Sequence, residues 1–335
     1  MIDNETTSEQ STVRARRIVK NIFRHENAIL SIVLVVLVVA FANMTEGLSL
    51  SMSNIRNVLL QSSMRGIVSI GQLFVILTAG IDLSVGALAG LCAVLGASLL
   101  TEGPRSIVSS PVSLATAIAV MLSVGIGIGV FNGFSVSRIR MPALIVTLAV
   151  WQMANGGVFQ LTQGVEISGL PNSMAFFGQE SILGVPVPTI IFVVTAAAAY
   201  FVLHHTTFGH SVYAVGGNPV TAWLSGINVR NIVFMVYVIS GFLAALTGLV
   251  LVSRNMSGGM WTATGLEIDC IAAVVVGGVS LGGGKGTLVG TILGVMIIGV
   301  MNNGMNLIGV AVTLQRVLRG VVIFSAVAVD YLRRR

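Results

Sequence analysis

Long, almost uninterrupted runs of apolar residues dominate the chain. Ten of them cover residues 28–42, 57–79, 83–100, 113–136, 143–163, 188–204, 231–252, 267–281, 287–303 and 314–331. Most approach the roughly 20 residues that a helix needs to cross a ~30 Å hydrocarbon core. None shows the alternation and regular turns of an outer-membrane barrel. Backbone groups in lipid need hydrogen bonds within the protein. The pattern therefore predicts an all-α polytopic membrane protein of about ten transmembrane helices.

The polar segments divide the chain into a tail, a membrane domain and two long loops. Residues 1–27 form a polar tail, 28–332 the membrane domain, and 333–335 a basic end. Ala40-Phe41-Ala42 resembles a signal-peptidase site, but the preceding tail carries acids as well as bases. That is unlike a compact signal-peptide n-region, so we expect an uncleaved first helix. The long loops cover residues 164–187 and 205–230.

Charge sets the expected orientation. The chain has 335 residues, of which 55% are hydrophobic and only 9% charged, against about 25% in soluble domains. The net charge of +6 is concentrated at the chain ends and beside the spans, as the positive-inside rule describes. We therefore expect cytoplasmic termini, a cytoplasmic 205–230 loop, an inner (plasma) membrane location and no nucleic-acid partner. Cys92 and Cys270 lie in apolar runs and suggest neither a disulfide framework nor a metal site.

The 205–230 loop contains local signals for a short helix. Gly216-Gly217 permits a sharp turn with positive φ. Asn218 is a good N-cap and Pro219 fits the first helical position. A helix over Pro219–Leu224 would then stop at Ser225-Gly226. The segment is either a well-made connector or a rigid projection that lodges in another protein.

Four motifs carry a resemblance to a known family. They are Tyr213–Asn218 (YAVGGN) followed by Leu224–Ile227 (LSGI), Ala79–Gly86 (AGIDLSVG), Ile271–Thr287 (IAAVVVGGVSLGGGKGT) and Asn302–Gly309 (NNGMNLIG). In this order they resemble the ribose-type ABC sugar permeases, the inner-membrane components of binding-protein-dependent transport systems. The similarity covers about residues 50–332. His210 and Trp223 depart from it, since basic residues are expected there.

The resemblance implies a transport subunit without catalytic residues or metal. It would translocate a pentose or hexose such as ribose, or a similar polar solute. Its partners would be a cytoplasmic ABC ATPase, a periplasmic solute-binding protein and a second permease copy or paralogue. ATP and Mg²⁺ would bind the ATPase, with no cofactor on this chain. The implied ATPase-coupling residues are Tyr213, Gly216, Gly217, Asn218, Leu224, Ser225 and Gly226.

The glycines of residues 282–286 do not form a phosphate loop. The P-loop places a glycine five residues before its Gly-Lys pair and a Ser or Thr after it. Val279 and Gly286 occupy those positions here. We expect a tight cytoplasmic turn with Lys285 at the lipid surface.

Polar side chains in or near the runs are candidates for the solute pathway. Hydrogen-bonding amides and an aromatic face suit a sugar. The candidates are Gln72, Asp82, Trp151, Gln152, Asn155, Asn302, Asn303 and Asn306. Each has a structural alternative, since amides also hydrogen-bond between helices. Asp82 is either a cap for the helix starting at Leu83 or a pathway residue, and both can hold.

A function of another class is an ion-coupled secondary transporter. It would need a buried acidic cluster, to which only Asp82, Glu267 and Asp269 contribute. Residues 265–269 faintly echo 80–84, as in an inverted repeat, whereas 286–290 echo 86–90, as in a parallel one. Arg316 and Arg319 are expected to snorkel at the outer interface, with docking of the binding protein as the alternative.

Overall fold

The computed structural model describes residues 26–334, which form twelve α-helices. These are α1 (Glu26–Met44), α2 (Met52–Leu77), α3 (Val85–Leu100), α4 (Leu114–Ser137), α5 (Ala143–Thr162), α6 (Val187–His205), α7 (Thr207–Gly217), α8 (Pro219–Leu224), α9 (Val229–Asn255), α10 (Leu266–Val276), α11 (Leu288–Leu307) and α12 (Val312–Arg334). Two 3₁₀-helices cover Leu48–Leu50 and Asn172–Phe177. The predicted tail lies almost entirely outside the described residues.

Four two-residue strands form the only sheets in this part of the chain. β1 (Ile167–Ser168) pairs antiparallel with β4 (Ser257–Gly258), and β2 (Ser181–Ile182) with β3 (Val185–Pro186). The first pair joins the loop after α5 to the loop after α9. The all-α polytopic architecture predicted from the apolar runs is confirmed.

Four helices form the interior of the bundle. α2, α3, α9 and α11 are mostly buried, whereas α1, α4, α5 and α6 leave most of their apolar residues at least partly exposed. Glycines bring α4 and α9 into contact, because a Cβ on Gly125 would collide with Ala245 and a Cβ on Gly241 with the Gly125 carbonyl. Small residues at helix crossings are typical of membrane bundles, where backbones approach closely.

Seven of the described helices are long and apolar enough to cross a membrane, namely α1, α2, α4, α5, α6, α9 and α11. The other three predicted spans correspond to α3, α10 and α12. α3 has 16 residues and lies buried among its neighbours. α12 covers residues 314–331 as predicted, but Arg316 and Arg319 near its start lower its mean hydropathy. The total of ten spans thus stays a prediction.

The prediction of one continuous helix over 267–281 is wrong. α10 has 11 residues, about 16 Å of helix, and stops at Val276. Gly277 follows because a Cβ there would collide with the Gly290 carbonyl of α11, and Gly278 has φ +83°. Residues 277–287 form a non-helical turn instead.

The loops gather at two ends of the bundle. At the inner face, which we define by residues 78–84, 138–142, 206–228 and 277–287, the Gly284 N–H donates to the Leu77 carbonyl at 2.9 Å. Asn27, at the start of α1, meets Thr287 there. At the outer face, defined by residues 101–113, 163–186 and 256–265, Arg105 donates to the Thr162 carbonyl. The assignment of the inner face to the cytoplasm stays a prediction from charge.

Candidate coupling segment and solute pathway

The coupling segment, residues 206–228, consists of two helices at the inner face. Thr206 caps α7 by accepting from the Gly209 N–H. Asn218 caps α8 by accepting from the N–H groups of Val220 and Thr221 at 2.9 and 3.0 Å. α8 ends at Ser225 and Gly226, where φ is +85°. The predicted helix over Pro219–Leu224 and its stop are therefore confirmed, because capping depends on neighbouring residues alone.

The expected sharp turn at Gly216-Gly217 is wrong, since both residues lie in α7. Gly216 is needed for close approach instead. A Cβ on Gly216 would collide with the Leu77 carbonyl at the end of α2, whereas nothing lies within 4 Å of one on Gly217. The sequence showed the glycine pair but gave no sign of this tertiary contact.

Apolar side chains of α8 project away from the bundle. Trp223 is 66% exposed and Leu224 72%, with Val220 beside them, while Ala222 is buried. A cluster of large apolar side chains on a polar loop marks an interaction surface. Next to it lies a cavity of about 1120 Å³, lined by the loops after α2, α4 and α8 and by the side chain of Trp223.

Tyr213 fastens α7 to the turn formed by residues 277–287. Its hydroxyl donates to the Gly286 carbonyl at 3.1 Å. Burial raises the pKa of this phenol, so it remains a neutral donor. The turn itself has positive φ at Gly283, Gly284 and Gly286, as the expected tight turn requires.

Asp82 and Gln72 meet inside the bundle. The Asp82 carboxylate accepts from the Ser84 N–H at 3.0 Å, the Ser84 hydroxyl at 2.6 Å and the Ser240 hydroxyl at 2.8 Å. The Gln72 amide bonds the backbone N–H and carbonyl of Asp82. Asp82 is 2% exposed. α3 starts at Val85 with Ser84 as its N-cap, so Asp82 is not the N-cap of a helix starting at Leu83. Its bonds to Ser84 and Ser240 instead tie the start of α3 to α9.

Two aromatic and amide candidates of α5 share a small cavity. Trp151 and Asn155 line it together with Gly86, Thr264 and Glu267. The Trp151 indole N–H donates to the Glu267 carboxylate at 3.2 Å. Gly86 permits this arrangement, because a Cβ there would collide with Glu267. Gln152 is exposed and lies on another face of α5.

The three asparagines of α11 are not gathered around one cavity. Asn303 exchanges two hydrogen bonds with Asn54 of α2, at 2.8 and 2.9 Å. Asn306 accepts from Gln315 at 2.8 Å. The carbonyl oxygen of the Asn302 side chain is buried without a hydrogen-bond partner among the described residues. Asn303 and Asn306 therefore hydrogen-bond to neighbouring helices, which is the alternative to a role in the solute pathway.

Residues 259–267 line three neighbouring cavities. An outer one of about 270 Å³ contains Glu166, Asn255 and Trp261. The next, about 250 Å³, shares Thr262 with it. That cavity in turn shares Ala263 and Thr264 with the Trp151 cavity. A row of cavities therefore runs inward from the outer face and ends at the Trp151 cavity, whose volume is only about 30 Å³.

Charged residues of the middle cavity were not among the predicted site residues. Asp269 forms ion pairs with Arg65 of α2 at 3.3 Å and with Arg319 of α12 at 3.0 Å. Arg319, which was expected to snorkel, thus forms an ion pair with an acid of α10 in this structure. Arg65 interrupts the apolar run 57–79, and a charge within a span is a functional candidate by default. That signal would have found it.

The comparisons with known proteins place the chain in a family. A family model described as branched-chain amino acid transport system / permease component matches residues 54–327. The chain belongs to this permease family. The ribose import permease of Escherichia coli K12 is 42% identical over 284 residues, which cover 84% of this chain and 86% of that protein. No solved structure matches.

Two further relatives have names that mention sugars. The D-allose transport system permease of Escherichia coli K12 is 33% identical, with 90% of each chain covered. The fructose import permease of Rhizobium meliloti is 35% identical, covering 89% of this chain and 83% of that one. The family and the apolar helices identify a multi-pass permease subunit of the bacterial inner membrane, of the ribose type.

Proposed function

We propose that this chain is the membrane-spanning subunit of an ATP-driven importer for a pentose, a hexose or a similar polyhydroxylated solute. The observation that carries the proposal is 42% identity to a ribose import permease over 84% of the chain. The family model's description mentions branched-chain amino acids. The three relatives described above are named for sugars instead, and their names favour a sugar over an amino acid as the solute.

The ATPase of such an importer would contact the coupling segment. Its apolar projection, Val220, Trp223 and Leu224, suits a groove on a cytoplasmic partner. α7 would pass the movement on, because Gly216 touches the end of α2 and Tyr213 bonds the turn before α11. ATP and Mg²⁺ would be bound by that ATPase, which fits the lack of P-loop spacing at residues 282–286.

The solute would enter along the cavities of residues 259–267. Trp261 is 81% exposed beside Glu166 and Asn255, and an aromatic face with a carboxylate and an amide suits a sugar ring. Trp151 and Asn155 lie at the inner end of this row. A periplasmic solute-binding protein would deliver the sugar to this face. A second permease copy or paralogue would complete the transporter.

The contacts of the acidic residues do not favour the ion-coupled alternative. Asp82 accepts three hydrogen bonds, Asp269 is paired with two arginines and Glu267 with Trp151. Within residues 26–334 no group of three His, Cys, Asp or Glu is placed to hold a metal ion. Each of these carboxylates therefore already has a polar partner within the protein.

Transport in proteoliposomes tests the proposal. The chain is reconstituted with and without its ATPase and a ribose-loaded binding protein, and internal ribose is measured. We expect uptake only with ATPase, ATP and binding protein together. Uptake driven through the chain alone by a proton or sodium gradient would overturn the proposal. If ATP hydrolysis rises but ribose does not enter, the same assay with allose and fructose identifies the solute.

A further inference from the structure

The middle cavity of residues 259–267 contains more positive charge than its acid can balance. Arg65 and Arg254 both line it, and Asp269 is its one acidic residue. Both oxygens of Asp269 are already used, one by Arg65 and the other by Arg319. Two guanidinium groups thus share this carboxylate, and Arg254 has no ion pair with it. Charges away from bulk water normally have partners, because desolvation without compensation is costly.

Two guanidinium nitrogens have no partner. Nη1 of Arg65 and Nη1 of Arg254 are both buried, and neither has a hydrogen-bond partner among residues 26–334. Arg254 also forms no ion pair there. Glu267, also on α10, directs its carboxylate to Trp151 and the start of α3 instead. Arg65 on α2 and Arg254 on α9 line the same cavity, together with residues 262–264 and the start of α10.

The remaining lining defines the kind of ligand. Gln61, Thr262 and Thr264 add neutral polar groups, and Met64, Leu251 and Leu266 close the apolar side. The volume of about 250 Å³ is below that of a drug-sized pocket. A guanidinium presents a planar fork of donors that matches the oxygens of carboxylate or phosphate.

We propose that Arg65 and Arg254 form a binding site for an oxyanion, a carboxylate or phosphate group. The oxygens take the free donors of both arginines, and Gln61 and Thr262 complete the contacts. The anion has two possible sources with the same chemistry, a small solute from the outer face or the headgroup of an anionic lipid. The site does not depend on the identity of the transported solute.

Binding to the full-length chain in nanodiscs of neutral phosphatidylcholine tests the site. Inorganic phosphate is titrated by calorimetry against chloride of equal ionic strength, and a second set of nanodiscs contains phosphatidylglycerol. The test variant is Arg254→Gln, because Arg65→Gln would also break the ion pair with Asp269. The matched control is Arg105→Gln. It removes the same charge from the outer face, where the Arg105 side chain bonds the Thr162 carbonyl and no other group among residues 26–334.

We expect phosphate to bind the wild type and Arg105→Gln alike, and Arg254→Gln to bind about tenfold or more weakly. That result assigns a small free oxyanion. Absence of phosphate binding, together with a rise in Tm from phosphatidylglycerol that only Arg254→Gln loses, assigns a lipid headgroup. If neither anion acts through Arg254, or if Arg105→Gln loses the response equally, the proposal is overturned. The test does not measure transport, so a negative result for the oxyanion site would leave the proposed importer function unaffected.

Discussion

The hydroxyl of Tyr213 donates a hydrogen bond to the carbonyl oxygen of Gly286, across 3.1 Å. This bond joins α7 of the coupling segment to the turn that leads into α11. Two residues earlier in that turn, the Gly284 N–H bonds the Leu77 carbonyl at the end of α2. A displacement of the coupling segment would therefore act on two buried helices of the bundle at once.

The variant Tyr213→Phe removes this hydrogen bond and keeps the ring. We expect the free energy of the contact between α7 and the turn to become less favourable by about 0.5–1.5 kcal/mol, because the Gly286 carbonyl is left without its donor. Since the fold retains all other contacts, the chain should stay in the membrane while uptake per ATP hydrolysed decreases. Ribose uptake and ATP hydrolysis are measured in the same proteoliposomes. Unchanged coupling would show that the bond transmits nothing.

Gly216 and Gly217 provide a matched pair for testing close approach. Gly216→Ala places a methyl group against the Leu77 carbonyl, and overpacking of this kind costs about 1–3 kcal/mol. Gly217→Ala meets nothing within 4 Å. We expect a lower Tm and reduced uptake for Gly216→Ala and wild-type values for Gly217→Ala. Equal effects of the two substitutions would contradict the assigned contact.

Substitutions of Asp82 and its partner Ser240 distinguish a structural role of this acid from a role in the solute pathway. Asp82→Ala leaves the Ser84 N–H and the Ser240 hydroxyl without their acceptor, which costs about 1–3 kcal/mol for each buried group. We expect Tm and uptake to decrease together. Ser240→Ala, which removes one of the three bonds, should have a smaller effect in the same direction. Loss of uptake at an unchanged Tm would assign Asp82 to the pathway instead.

The Asn54–Asn303 pair is suited to a double-mutant cycle. Each side chain both donates to and accepts from the other. Interhelical hydrogen bonds of this kind contribute about 0.6 kcal/mol on average in membranes. We expect Asn54→Ala and Asn303→Ala to lower stability non-additively, without changing which sugar is taken up. A change in sugar preference in Asn303→Ala would show that this residue lines the pathway.

Local signals were readable from the sequence, and contacts distant in the sequence were not. Asn218 and Pro219 start α8 as predicted because capping depends on neighbouring residues. The role of Gly216 has no signal in the neighbouring sequence, because the group it touches, the Leu77 carbonyl, lies on another helix. The end of α10 at Val276 likewise follows from contact with Gly290 of α11.

The candidate site residues show the same difference between local signals and contacts distant in the sequence. Polarity alone selected Trp151 and Asn155, which share a cavity, and also Asn303, which pairs with Asn54. The sequence could not separate the two cases, since both are amides or aromatics within apolar runs. The pairing of Asp269 with Arg65 and Arg319 joins three helices and has no local signature.

Exposed apolar residues at the two faces offer a direct test of energy coupling. Leu224, 72% exposed, lies on α8 of the coupling segment, and Leu183, 99% exposed, lies in the turn between β2 and β3. Leu224→Asp places a charge in the proposed ATPase contact, whereas Leu183→Asp makes the same change at the other face. ATP-driven ribose uptake is measured for both in proteoliposomes. We expect Leu224→Asp to lose ATPase binding and uptake while Leu183→Asp retains both. Wild-type uptake by Leu224→Asp would contradict energy coupling through α8.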